Sequence, residues 1–317
     1  MSEDEKKEKQ ILKVGIHDED KFERLKRIGW IDLEKVEKAN ILVVGAGALG
    51  NEVIKNLVLS GFKNISLVDM DFIVKSNLNR CVFFLDSDAA EKKMKADVLA
   101  EKARLLEPTV NITPYTKKIQ ELPEDFIRQH TIVLGCLDNI LARMHLNSHT
   151  YHAKIPYIDG GTLGVVGKVQ VILPPETPCL ECTMNKMHMK NLEKLFSCTG
   201  RDVTFFEPKL AAEITTTSII SAIQVRETLK IVCGHKDWIV KNIFYYDGTR
   251  NVSEILEASI DANCIHHIEV SSITRPTFTQ EFPKEKIELP VEIHESVTET
   301  SKTEKRKKKR GRKKTKD

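Results

Sequence analysis

The chain of 317 residues is 41% hydrophobic and 30% charged, which allows one sizeable core in one or two domains. Its opening, MSEDEKKEKQ, is charged where a secretory signal needs an apolar run, and no window approaches the ~18 unbroken apolar residues of a membrane span. No membrane partner is therefore expected, and the expected location is cytoplasmic, or nuclear for a eukaryotic source.

The net charge of +3 hides an asymmetry, because residues 302–317 hold eleven Lys or Arg against two acids, a net of +9 that leaves the rest at −6. Residues 1–20 carry few apolar anchors and read as a disordered arm. In DKFERLKRIGWIDLEKVEKA, Phe22, Leu25, Ile28, Leu33 and Val36 recur at roughly helical spacing, which predicts one or two short amphipathic helices. The pattern then alternates. NILVVGAGALGNEVIKNLVLSGF reads as strand, tight turn and helix, NISLVDMD as a strand, and KKMKADVLAEKARLLEP as a helix stopped before Pro108. VNITPYT is a strand, EDFIRQH a short helix and TIVLGCLDN a buried strand. Such alternation predicts an α/β fold: a doubly wound, mainly parallel Rossmann-like sheet with helices on both faces.

KIPYIDGGTLGVVGKVQVILPP changes style, with Gly-rich turns between β-branched runs that suggest strands near the sheet edge. A long apolar helix is expected over residues 210–233 and a strand pair in WIVKNIFYYDG. From about Ser271 the apolar pattern thins among Pro276, Pro283 and Pro290. The expected organisation is an arm at 1–20, a body at 21–270, a linker or extension at 271–301 and a basic disordered tail at 302–317.

Gly45, Gly47 and Gly50 form G-x-G-x-x-G after a strand and at the opening of a helix, where backbone can approach a phosphate closely. Asp69 ends the next strand, placed to accept hydrogen bonds from a ribose. Alone, this fingerprint means NAD or flavin. The following residues change that reading: DMDFIVKSNLNR sets Asp69, Asp71, Asn77, Asn79 and Arg80 close together, and KKMKA adds Lys95 at a helix start. Cations and amides at that point suit a triphosphate more than a nicotinamide. In GCLDNILAR, Leu137, Asp138 and Asn139 follow a strand, and Asp138 is a natural Mg2+ ligand at the carboxyl edge of the sheet.

In their order, VVGAGALG, DMD, SNLNR, KA, LDNILAR, DGGTLG and PCLEC resemble the ThiF/MoeB superfamily, most closely the catalytic subunits of ubiquitin-like-protein-activating enzymes, over roughly residues 41–267. The resemblance implies that the body is an adenylation domain. In it the glycine loop cradles ATP, Asp69 holds the ribose, Asn79, Arg80 and Lys95 bind the phosphates and Asp138 holds Mg2+. It implies that the carboxylate of a ubiquitin-like protein ending in Gly-Gly attacks the α-phosphate, and that the enzyme is a homodimer or pairs with a related subunit. Two departures stand out. Cys81 occupies the position where the family usually has Gln after N-x-N-R, and for the arginine that in small family members often reaches into a neighbouring subunit's site, Arg24 or Arg27 could serve.

The chain has seven cysteines and no export signal, so metal or thiol chemistry is expected rather than a disulfide framework. Cys179 and Cys182 are spaced C-x-x-C, and Cys264 with His267 makes C-x-x-H, which can close a structural Zn2+ tetrahedron. The resembled family ends with C-x-x-C instead, and His266 is an alternative ligand. Cys81, Cys136 and Cys233 sit in apolar runs and read as buried. Cys198 lies in SCTGRD with Arg201 nearby to favour a thiolate. The resemblance implies that it accepts the acyl group as a thioester, within a short cysteine loop at 183–209, before a conjugating enzyme takes over. The alternatives are a sulfur-carrier adenylyltransferase without a thioester and a non-catalytic partner subunit. Nucleic acid enters only through the basic tail.

Overall fold

The structure is a computed structural model that describes residues 20–123, 125–183 and 211–267. These fall within one compact unit ending at Ile273. The arm before Asp20, the extension, the basic tail and nearly all of the cysteine loop, Cys198 included, lie outside the described residues.

Two short helices, α1 (Glu23–Lys26) and α2 (Leu33–Lys38), precede strand β1 (Asn40–Val44). Helix α3 (Ala48–Leu59) and β2 (Asn64–Val68) follow, then the short α4 (Asp86–Ala90), α5 (Lys95–Leu106) and β3 (Asn111–Tyr115). The chain returns through β4 (Ile132–Gly135), α6 (Ile140–Ala153), β5 (Tyr157–Leu163), β6 (Val166–Ile172) and one turn of helix, α7 (Leu180–Thr183). It continues with α8 (Ile214–Val232), β7 (Ile243–Asp247) and β8 (Val252–Leu256).

The described strands form one eight-stranded sheet in the order β3-β2-β1-β4-β5-β6-β7-β8. From β3 to β5 all pairings are parallel, and from β5 to β8 all are antiparallel. The period-two alternation of β1 separates two cores. Ile41 and Val43 pack with α3, α5 and α8, while Leu42 and Val44 face the other side with Leu146 and Tyr151 of α6. This is the doubly wound architecture expected from the alternation of strands and helices.

Several details differ from the sequence expectation. The Gly-rich strands β5 and β6 are interior, and the edges are β3 and β8. Gly160 and Gly167 sit where a Cβ would stand 2.4 Å from Gln224 and 2.3 Å from Ile220, so they give α8 room to lie close against the sheet. WIVKNIFYYDG supplies only β7, after a 3-10 turn that ends on its first residue (Lys236–Trp238), and the partner strand is the later β8. EDFIRQH gives a 3-10 turn at Ile127–Gln129, and the long helix starts at Ile214, capped by the Glu213 carboxylate.

Candidate active site and metal centre

The order of strands reverses between β1 and β4, and in open α/β sheets ligands bind in the crevice outside the carboxyl ends of the strands at such a point. The loop after β1 carries the glycines. Gly45 has φ +105°, and a Cβ there would lie 2.4 Å from the carbonyl oxygen of Cys136, the residue after β4. A Cβ on Gly50 would stand 1.9 Å from the Gly45 carbonyl oxygen. Gly47, the N-cap of α3, differs: a Cβ there would meet nothing within 4 Å. The two outer glycines are thus demanded by the turn itself, whereas Gly47 borders open space at a helix N-terminus, a fit for a phosphate.

Asp69 follows β2 and binds this loop directly. Its Oδ2 accepts from the Ala46 N–H at 2.6 Å and its Oδ1 from the Asp71 N–H at 2.8 Å. Burial raises its pKa, against the pull of Lys95 and these two amides. Lys95 opens α5 and donates to Asp71 Oδ2 at 2.7 Å. Arg80 donates to the Ser76 carbonyl and to Asn79 Oδ1, the latter at 3.0 Å. Asn77 is buried and turned inward, its Oδ1 accepting from the Val74 N–H at 3.0 Å. Burial pushes the Cys81 thiol up to about 11 despite Arg80 and Lys95, so this cysteine behaves as a core residue, as do Cys136 and Cys233.

Across the crevice, Asp138 is exposed after β4, Leu137 beside it is half-buried, and Asn139 caps α6 by accepting from the Leu141 and Ala142 N–H groups. Sequence reading missed what lies beneath them. Arg143 of α6 donates from Nε to Asp159 Oδ1 at 2.9 Å and from Nη2 to Oδ2, while the Tyr157 hydroxyl donates to Oδ1 at 2.9 Å. Burial opposes charge on Arg143, but Asp159 overcomes it, with Asp138 adding in the same sense. The Arg143 guanidinium lies over Gly161, 3.0 Å from where a Cβ would be. Lys168, paired with Gly161 across β5 and β6, is lowered by burial and by Arg143, against the pull of Asp159. The signal was present as Arg in LDNILAR and Asp in DGGTLG; their pairing needs α6 to lie over β5.

Cys179, Cys182, Cys264 and His267 have ligand atoms all within 4.8 Å of one another. Cys179 Sγ is 3.8 Å from Cys182 Sγ and 3.5 Å from Cys264 Sγ, and Cys182 Sγ is 3.5 Å from His267 Nδ1. A Zn2+ tetrahedron with ordinary Zn–S and Zn–N bonds has edges of about 3.8 Å between sulfurs and about 3.5 Å from sulfur to nitrogen, so the donor set fits. His267 Nε2 faces the Thr177 carbonyl at 3.3 Å, the outer-shell contact that leaves Nδ1 for a metal. Burial raises both Cys179 and Cys264, the latter to about 12, so a cation is what would hold them as thiolates. The alternative ligand, His266, is outside the cluster: it lies against the Tyr151 and His152 rings, with Nε2 3.3 Å from Glu181 Oε1.

A model of the ThiF family matches residues 20–265. This chain belongs to the ThiF family. The ThiF-family chain is 39% identical over 160 residues to SUMO-activating enzyme subunit 2 of Dictyostelium discoideum, covering 50% of this chain and 24% of that protein. It is 39% identical over 161 residues to the Nedd8-activating enzyme E1 catalytic subunit of Drosophila melanogaster, covering 47% and 35%. It therefore matches about a quarter to a third of the length of these relatives. Among solved structures, E. coli MccB superposes with a TM-score of 0.63 at 18% identity, covering 80% of this chain and 73% of that one. E. coli MccB with ATP gives 0.61 at 19%, covering 74% and 68%. At such identities the likeness is one of fold. Among the described residues no helix is long and apolar enough to cross a membrane.

Proposed function

We propose that this ThiF-family chain is an ATP-dependent activating enzyme that adenylates the C-terminal glycine of a ubiquitin-like protein and transfers it to Cys198 as a thioester. What supports the first step is the grouping of the open Gly47 turn, Asp69 and the Lys95–Asp71 pair after β1 and β2, with Arg80 in the segment that follows and Asp138 just beyond the carboxyl end of the neighbouring β4. A cofactor that only needed a dinucleotide cradle would leave the cations and Asp138 without a task.

In this reading Gly45, Gly47 and Gly50 shape the phosphate cradle and Asp69 takes the ribose hydroxyls through its remaining lone pairs. Asn79, Arg80 and Lys95 neutralise the phosphates, and Asp71 holds Lys95 in place. Asn77 acts through its turn, which sets Asn79 and Arg80. Leu137 and Asn139 fix the backbone on either side of Asp138, which would hold Mg2+; that ion supplies charge neutralisation at the phosphates. A glycine carboxylate oxygen attacks the α-phosphorus, the bond to the β-phosphate oxygen breaks, and pyrophosphate leaves. Positioning and charge stabilisation suffice for that step, so no general base is required. The Cys198 thiolate then attacks the acyl carbon and expels AMP. Cys179, Cys182, Cys264 and His267 would hold Zn2+ in a closed, structural site that ties the chain before the cysteine loop to the end of the body. A conjugating enzyme would receive the thioester, and a second copy or a related subunit would complete the assembly.

The test is incubation with ATP, Mg2+ and candidate ubiquitin-like proteins ending in Gly-Gly, with pyrophosphate exchange and non-reducing gels as readouts. A thiol-sensitive adduct in the wild type that Cys198→Ala loses while keeping exchange supports both steps. Exchange without an adduct in either protein assigns the sulfur-carrier type of adenylyltransferase. No ATP binding and no exchange, with Lys95→Met indistinguishable from wild type, would leave a non-catalytic subunit.

A further inference from the structure

Helix α6 carries His145 and His149, four residues apart and so on one face of the helix. Their rings lie 3.9 Å apart between centroids and are tilted by 34°. Both line a cavity of about 230 Å³ whose other walls are Ile119, Gln120, Leu122, Pro123, Phe126 and Ile127, from the segment that joins β3 to β4. The site is separate from the cysteine cluster, whose only histidine is His267.

Three features of this pair match what a metal ion asks of two imidazoles. His149 Nδ1 sits 2.9 Å from the carbonyl oxygen of His145, so it donates there and leaves Nε2 as a lone-pair donor, the same second-shell arrangement that orients metal-bound histidines. Both rings are half-buried against the same cavity, which shields them from bulk solvent while leaving room for a small ion. Among the described residues the cavity lining offers two imidazoles and one amide as donors. That donor set selects copper, nickel or zinc over magnesium or calcium, which need several oxygens.

We propose that His145 and His149 chelate one divalent transition-metal ion in this cavity, with the Gln120 amide oxygen available as a third ligand. The ion would pin α6 to the β3–β4 segment, and the pair would open slightly to share it. The site stands independently of the adenylation reading.

The experiment uses the full chain loaded with Zn2+ to fill the cysteine cluster, titrated under nitrogen with Ni2+ and followed by calorimetry and by paramagnetic broadening of histidine ring resonances. The expected result is one further equivalent bound, weakened by about tenfold or more in both His145→Ala and His149→Ala. Broadening should centre on these two rings, and the zinc released by thiol titration should be the same in all three proteins. Uptake in either variant as tight as in wild type, or no uptake of Ni2+ by the wild type beyond exchange with the bound zinc, would overturn the proposal.

Discussion

Replacing Asp159 with alanine removes the carboxylate that three donors share: Arg143 Nε, Arg143 Nη2 and the Tyr157 hydroxyl. The Asp159 side chain is fully buried and that of Arg143 only 14% exposed, so water cannot substitute for the lost oxygens. Breaking one side of a buried ion pair costs about 3–5 kcal/mol, chiefly because the other charge stays behind uncompensated. Asp138 acts on Arg143 in the same direction as Asp159, so it retains part of the compensation and the lower end, about 3 kcal/mol, is expected. For a body of this size that corresponds to a fall in Tm of roughly 6–12 °C. Urea unfolding followed by circular dichroism measures the change, with an unaltered m value as the sign that the native fold persists. The combined variant Arg143→Met, Tyr157→Phe, Asp159→Leu removes charge and hydroxyl together and should recover most of the loss. If Asp159→Ala unfolds within about 1 kcal/mol of wild type, or the triple variant is no better than the single one, the buried network does not hold α6 on the sheet as reasoned here.

Other substitutions separate fold from site. Gly45→Ala, forced to place a Cβ against the Cys136 carbonyl at positive φ, should cost at least ~2 kcal/mol in chemical unfolding, whereas Gly47→Ala should melt near wild type and yet lose the thermal stabilisation that ATP confers. Metal analysis should find at least one Zn2+ per chain, which Cys179→Ser lowers by one; a strong chelator or Cys179→Ser should lower the melting temperature, and Zn2+ added back after chelation should restore it. Glu107, buried and bound by Lys21 and then Thr109, has its pKa lowered from 4.5 to about 2. Its stabilisation is therefore complete above about pH 4.5 and lost as pH falls toward 2. Glu107→Gln should be less stable than wild type at pH 7 by only about 1 kcal/mol, since Lys21 is 42% exposed, and the two unfolding curves should converge on acidification.

The parts of this protein that its sequence determined are those where the physics is local. The glycine turn is one, because Gly45 must take a positive φ and the residues on either side carry strand and helix periodicities. The two candidate metal-ligand pairs are another, since their two-residue spacings bring each pair's donor atoms together on one short segment. Asp69, Lys95 and Asp138 could be placed at strand and helix ends for the same reason. The rest depends on contacts between distant residues. Strand β8 is exposed at all five positions, so it has no buried face to impress a pattern on its sequence, and only its hydrogen bonds to β7 make it a strand. The glycines of β5 and β6 resembled edge turns; they are instead the room that Gln224 and Ile220 of α8 require. Asp159 meets Arg143 only because α6 folds back over β5. Cys179 meets Cys264, 85 residues later, because β6 and the chain after β8 bring both to the same end of the sheet, and backbone direction there turns His267 toward the cysteines while His266 is buried against Tyr151 and His152. Spacing along a chain fixes what neighbours can do together, but which distant groups share a charge or an ion is set by the packing of helices on the sheet.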